Sequence, residues 1–301
     1  MSVQELEVVR GLLRETEIGL AGPVGAAREN FDAMLSNIPV DDDVAFEPAE
    51  VGGVPGQWSS TPATASSERV LLYLHGGCFN IGSTTGYRAL WSAFAKGAGA
   101  RGLALDYRLA PEHAFPAAVD DAVAAYRALL DAGHAPRSVA FAGDSAGGGL
   151  VFSALLGARD AGLPMPAGAL ALSPMTDLTL SGESLETKAD ADLSLSYDDL
   201  AIPAGRYLDG ADPAQPLASP VFADLTGLPP VTIHVGSAER LLDDSTRIAA
   251  KLGADGVRVN LEVWPGMPHV WHSFAFMLSE GAAATARACA FLEDCYEGRA
   301  A

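Results

Sequence analysis

Six short apolar runs alternate with stretches of helical periodicity, and this alternation constrains the fold more than any other feature of the chain. The runs are RVLLYLH (69–75), GLALDY (102–107), SVAFAG (138–143), GALALSP (168–174), VTIHVG (231–236) and VNLEVWP (259–265). Helical spacing fills 86–97, 116–132, 146–161, 243–253 and 281–296. Consecutive apolar positions suit strands covered on both faces, and strands alternating with helices build a mostly parallel sheet.

Three segments fall outside this rhythm. Residues 3–13 place Val3, Leu6, Val9 and Leu13 at helical spacing, and 23–36, opened by Pro23, do the same with Val24, Ala27, Phe31 and Leu35. Two stretches within 43–60, DVAFEPAE and VPGQWSS, alternate weakly and predict an antiparallel pair. The interval 177–229 is too long for a simple crossover and contains SLSYDDLAIPAGRYL, a capped helix of its own. With the two N-terminal helices it predicts a lid over the C-terminal edge of the sheet.

Composition narrows the function. The 301 residues suffice for a sizeable core, and the net charge of −19, with only Lys96, Lys188 and Lys251 as lysines, repels phosphate backbones and anionic lipid. Nucleic acid and membrane are therefore excluded as expected partners. No run of about 18 apolar residues predicts a spanning helix, and the charged MSVQELEVVRGLLRET start lacks a signal-peptide core. Cys78, Cys289 and Cys295 match no zinc spacing, so no metal and a reducing, cytoplasmic setting are expected.

Two motifs carry chemistry. Gly143-Asp144-Ser145-Ala146-Gly147 is a G-x-S-x-G between a predicted strand and a predicted helix, the setting of a nucleophile elbow. Small neighbours let the sharp turn pack, and the helix start behind Ser145 favours developing negative charge. No P-loop or dinucleotide fingerprint competes. His75-Gly76-Gly77-Cys78 follows the first parallel strand and is similar to the H-G-G-G motif that donates backbone N–H groups to an acyl-transfer oxyanion. The expected donors are Gly77, Cys78 and Ala146, with Gly76 an alternative. Cys at the third position keeps its N–H and brings a thiol, read as a small buried hydrophobe. His75 is expected to brace the loop rather than act as a base.

HGGC, DYRLAPEHAFPAAVDD (106–121) and GDSAGGG occur in an order and spacing that resemble the hormone-sensitive-lipase-like branch of the α/β-hydrolases, bacterial esterase family IV. The resemblance extends over nearly the whole chain, and the 106–121 segment is its most specific part. It implies an α/β-hydrolase fold with an eight-stranded sheet, helices on both faces and a helical cap. It also implies hydrolysis of short-to-medium acyl esters, no cofactor, and frequent homodimers. On this reading the cap spans about 1–38 and 178–213, and the core about 39–177 and 214–301.

A serine needs a base, and the base an orienting acid, in the chain order Ser, acid, His. His75, His113 and His134 precede Ser145, and His234 lies inside a strand, which leaves His269 and His272. The family's loop pattern matches His269-Val270. Glu239 comes three residues after VTIHVG ends, whereas Asp243 and Asp244 sit where they would cap or charge the first turn of helix 243–253. The family usually reads D-P-L-R-D, and aligning ERLLD puts Glu239 on the triad position and Asp243 on the structural one. The longer Glu raises the question of whether it reaches His269. The form GSxExLLDDS resembles a subgroup labelled ε-lactone hydrolases.

The expectation is a serine carboxylesterase acting through an acyl-enzyme on Ser145, Glu239 and His269, on a small ester or lactone. Its activity should rise with pH through the ordinary histidine value, about 6.5. Acyl transfer or peptide cleavage on the same residues is an alternative, and a non-catalytic small-ligand receptor is another. Phe79, Trp91, Tyr197, Tyr207, Val270 and Trp271 are the aromatic and apolar candidates for pocket lining. The VNLEVW edge offers a surface for pairing two chains.

Overall fold

The computed structural model describes residues 3–16 and 18–300. Its strands are β1 (Ala45–Val51), β2 (Val54–Ser60), β3 (Val70–Leu74), β4 (Arg101–Leu105), β5 (Val139–Asp144), β6 (Ala169–Leu172), β7 (Val231–Gly236) and β8 (Val259–Trp264). They form an eight-stranded sheet in the order β1-β2-β4-β3-β5-β6-β7-β8. β1 and β2 join antiparallel, and β3 through β8 run parallel. The expected mixed, mostly parallel sheet is what the chain forms.

The helices are α1 (Val3–Glu15), α2 (Val24–Leu35), α3 (Arg88–Gly97), α4 (Ala117–Asp131), α5 (Ala146–Asp160), α6 (Ser184–Thr187), α7 (Tyr197–Leu208), α8 (Leu242–Ala254) and α9 (Ser279–Tyr296). α6, a single turn, had no signal in the sequence reading. The central strands β3, β5, β6 and β7 are buried at every position, which is why they read as unbroken apolar runs. β1 and β8 at the edges are half-exposed and alternate.

Chain order reverses at β3, which lies between β4 and β5. In open α/β sheets such a switch opens a crevice beyond the carboxyl ends of the strands. The parallel register sets Leu74 beside Gly143, so the loop after β3 and the turn after β5 emerge side by side. The pairs Leu172 with His234 and Gly236 with Trp264 bring the loops after β6, β7 and β8 to the same edge.

α7 begins on a full capping box: the Ser196 hydroxyl accepts from the Asp199 N–H, and the Asp199 carboxylate accepts from the Ser196 N–H. It carries Pro203 in its interior. Arg206 of α7 donates to the carbonyls of Leu20, Ala21 and Gly22 just before α2. The two parts of the expected lid are thereby joined.

Candidate active site

Ser145 closes β5 and opens α5 with φ 54° and ψ −123°. A residue with a Cβ is strained there and persists only where its surroundings over-determine it. The surroundings do so. The Ser145 N–H donates to Leu172 O at 2.8 Å, and its carbonyl accepts from Gly149 and Met175. A Cβ on Gly147 would collide with the carbonyl oxygens of Leu74 and His75, so only glycine lets α5 lie this close to β3.

The loop after β3 is held against this turn by Asp144. Its buried carboxylate accepts from Tyr73 (2.7 Å), the Gly76 N–H (3.0 Å) and Tyr87 (3.2 Å). Burial raises the Asp144 pKa to about 6, against the lowering effect of these donors. The Gly76 N–H is thus occupied, which removes it as the alternative donor. Among the described residues, the N–H groups of Gly77, Cys78 and Ala146 find no acceptor in the chain.

The 106–121 segment braces the same loop. Tyr107 donates to His75 O at 2.6 Å, Asp106 accepts from the N–H and hydroxyl of Thr84, and Arg108 pairs with Asp121. His75 stacks between Tyr107 and Tyr87 and turns its Nδ1 to Gly76 O.

Glu239 and His269 meet directly. Glu239 Oε2 lies 2.7 Å from His269 Nδ1, while Oε1 accepts from the Gly236 N–H (2.6 Å) and the Ser173 hydroxyl (2.8 Å). The extra methylene is accommodated because the acid folds back onto the end of β7. A carboxylate on Nδ1 fixes the tautomer that leaves Nε2 as the acceptor. Burial is the largest influence on His269 and disfavours its charge. The hydrogen bond and charge of Glu239, aided by Asp192 and Asp144, outweigh it and raise the pKa above the ordinary value.

The two aspartates do not cap α8. Asp243 accepts from the Ser184 N–H, and Asp244 accepts from the N–H groups of Thr176 and Asp177. The N-cap residue of α8 is Leu241, with no side-chain cap. Both carboxylates reach outward to hold the 176–184 segment. His272 is buried, its Nε2 lies 3.1 Å from His234 Nδ1, and burial pushes its pKa well down.

Ser145 and His269 line one cavity of about 350 Å³. Leu12, Leu13, Ile18, Leu20, Phe31, Met34 and Leu35 contribute its apolar wall from the N-terminal segment, and Leu193, Ser194 and Leu195 contribute from the insertion. A smaller cavity of about 220 Å³ shares Ile38, Ser273 and Phe276 with it and contains neither Ser145 nor His269. Of the six pocket candidates only Val270 lines the larger cavity. Trp91 packs edge-on against Phe46, Phe79 stacks on Tyr207, Trp271 packs beside Trp264, and Tyr197 is exposed.

A family model described as the alpha/beta hydrolase fold matches residues 71–273. The chain belongs to the α/β-hydrolase family. This hydrolase is similar to an acetyl-hydrolase from Streptomyces hygroscopicus, 45% identical over 297 residues that cover 97% of each chain. It is also similar to an esterase from Acinetobacter venetianus, 36% identical over 250 residues, 83% of this chain and 81% of the relative. Among solved structures, an esterase from the bacterial hormone-sensitive lipase family superposes with a TM-score of 0.94 at 45% identity, covering 98% of this chain and 99% of that one. The hydrolase belongs to that branch, as the 106–121 segment implied.

Ser173 is a residue of the site that no local pattern in the sequence marks. Ser173 links Glu239 to the histidine loop, since its hydroxyl also accepts the Val270 N–H at 3.2 Å. Its φ of 45°, unusual for a residue with a Cβ, is visible only in the fold.

Proposed function

We propose that this hydrolase is a serine carboxylesterase that works through an acyl-enzyme. Carboxylic ester hydrolysis is the activity its relatives' names carry, acetyl-hydrolase, esterase and carboxylesterase among them. Ser145 attacks the ester carbonyl, and His269 takes the hydroxyl proton and returns it to the leaving alcohol. Glu239 holds the imidazole and stabilises its cation, and water activated by His269 then releases the acid. The N–H groups of Gly77, Cys78 and Ala146 receive the oxyanion. The observation that carries this reading is the contact of Glu239 with His269 Nδ1 at 2.7 Å, with His269 lining the same cavity as Ser145 on its strained turn.

α1, α2 and the segment 178–213 act as a cap, and residues 39–177 and 214–300 as the core. The apolar wall they enclose suits short-to-medium acyl chains and compact lactones rather than long lipids. Cys78, Cys289 and Cys295 are unpaired thiols, in keeping with a cytoplasmic setting. Among the described residues no helix is long and apolar enough to cross a membrane. β8, with Val263 exposed on the free edge of the sheet, is the surface for a homodimer.

Turnover of graded p-nitrophenyl esters and γ- to ε-lactones by the wild type and Ser145→Ala, with fluorophosphonate labelling, tests the mechanism. Wild type should label and Ser145→Ala should neither label nor turn over. Near-normal turnover by Ser145→Ala would sink the acyl-enzyme. A wild type that binds esters without labelling or turnover would be the receptor.

A further inference from the structure

Gly77, Cys78 and Phe79 have successive positive φ values of 108°, 50° and 61°. Two of the three carry a Cβ, so this backbone is strained and needs neighbours that hold it. Those neighbours come from α7. The Phe79 ring lies on Tyr207 with centroids 3.9 Å apart and planes 7° apart. Asn80 Nδ2 donates to both Cys78 O (2.6 Å) and Pro203 O (3.0 Å). Two carbonyls facing one end of the amide fix that end as the NH2 group.

The third contact depends on the proline. The Cys78 thiol donates to Asp199 O at 3.5 Å. Asp199 stands four residues before Pro203, whose nitrogen has no hydrogen, so this carbonyl has lost its partner within the helix. The thiol takes that place. From the other part of the cap, Arg28 Nε donates to Asn80 O at 2.8 Å. The loop that presents Gly77 and Cys78 is therefore gripped on one side by α7 and on another by α2.

We infer that Asn80 is a positioning residue for the oxyanion donors, and that Pro203 of α7 is the second half of the same device. Asn80 bridges the carbonyl of the donor residue itself, Cys78, to the cap helix. Pro203 bares the carbonyl that anchors the Cys78 side chain and supplies the one that Asn80 binds. The inference rests on Gly77 and Cys78 being oxyanion donors. The planar ester carbonyl gains less from those N–H groups than the tetrahedral oxyanion does, so loosening the loop lowers kcat more than it changes KM.

The test compares wild type, Asn80→Ala and Pro203→Ala, with kcat per site titrated by fluorophosphonate, KM for a short p-nitrophenyl ester, thermal midpoint, and Ki for an alkyl trifluoromethyl ketone. The ketone forms a tetrahedral oxyanion adduct with a serine, so it reads the donors directly. Asn80→Ala should lose at least about tenfold in kcat with KM changed less than about threefold. The ketone Ki should rise by the same factor as kcat/KM falls. Pro203→Ala restores an N–H for Asp199 O and favours the helix, so a merely structural proline would leave kcat intact and stability equal or higher. Positioning predicts a several-fold loss of kcat with that stability. Unchanged kcat per site in both variants, or a fall in kcat with unchanged ketone affinity, overturns the inference while Ser145 chemistry stands. A wild type that fails to bind the ketone overturns the acyl-enzyme reading and this inference with it.

Discussion

Glu239 Oε2 and His269 Nδ1 stand 2.7 Å apart, and the glutamate has no exposed surface. Of the three acids in SAERLLDDS it is the one turned to the histidine, while Asp243 faces Ser184 and Asp244 faces Thr176 and Asp177. Glu239→Gln should lower kcat by about 10³–10⁴-fold by disturbing the tautomer and removing the charge opposite the imidazolium. Asp243→Asn should stay within about threefold, since its carboxylate accepts from the Ser184 N–H and not from His269. Steady-state kinetics on both folded variants decide the matter, and the reverse pattern would make Asp243 the triad acid.

The pH profile follows from the same pair. Glu239 raises the His269 pKa against the effect of burial, and only neutral imidazole can accept the serine proton. The acid limb of kcat/KM should therefore have its midpoint above the ordinary value of about 6.5 that the sequence alone suggested. In Glu239→Gln, burial remains and the charge is gone, so the residual activity should have a midpoint below that of wild type. A shift in the opposite direction would detach the limb from His269.

Ser173 donates to Glu239 Oε1 and accepts from the Val270 N–H. Ser173→Ala leaves the buried carboxylate with one donor fewer and the histidine loop with one tie fewer. Stability should fall by about 1–3 kcal/mol and kcat by roughly tenfold. Denaturant titration and kinetics measure the two losses separately, and unaltered kcat would confine Ser173 to the fold.

Asp244 gives a stability prediction with a definite sign. Burial, opposed by the N–H donors of Thr176 and Asp177, raises its pKa to about 7, whereas in the unfolded chain an aspartate titrates at about 3.9. Between those values the native protein holds a proton that the unfolded chain releases, so this group's contribution is present at low pH and fades as pH rises. The penalty of Asp244→Asn should be larger at pH 5 than at pH 8, by about 2–3 kcal/mol in urea titrations. An equal penalty at both values would contradict the titration.

The Cys78 thiol is buried and its pKa is pushed up to about 12, chiefly by desolvation. Almost no thiolate exists at neutral pH, and the thiolate is the reactive form. Iodoacetamide at pH 7.5 should leave Cys78 unmodified and turnover unchanged, as read by mass spectrometry of the active protein. Rapid alkylation of this residue would mean that the loop opens.

Parts of the site were legible because their signals are local. A strand buried on both faces must be apolar at successive positions, as β3, β5 and β7 are, and a nucleophile turn needs small residues beside its serine. Most aromatics near such motifs are expected to be core, and Phe79, Trp91, Tyr207 and Trp271 are buried. Trp91, Phe79 and Trp271 are large and lie near motifs, but burial in a core and lining of a cavity draw on the same residue types. The aspartates sit in the first turn of α8 and brace a loop, as expected of structural acids, but they do not cap the helix, because the N–H groups of Thr176, Asp177 and Ser184 engage their carboxylates.

The sequence by itself determined the layered sheet, the position of Ser145 between strand and helix, and the short list of acids and histidines that could serve it. Those follow from periodicity, chain order and glycine spacing, which act over a few residues. Only the tertiary structure decided which acid meets which histidine, that Ser173 joins them, and that Asn80 and Pro203 tie the loop of Gly77 and Cys78 to α7. Each of these contacts links residues 30 to 123 positions apart. Hydrogen bonds at such separations depend on how packed elements bring distant carbonyls and side chains within 3 Å, and no local pattern encodes that.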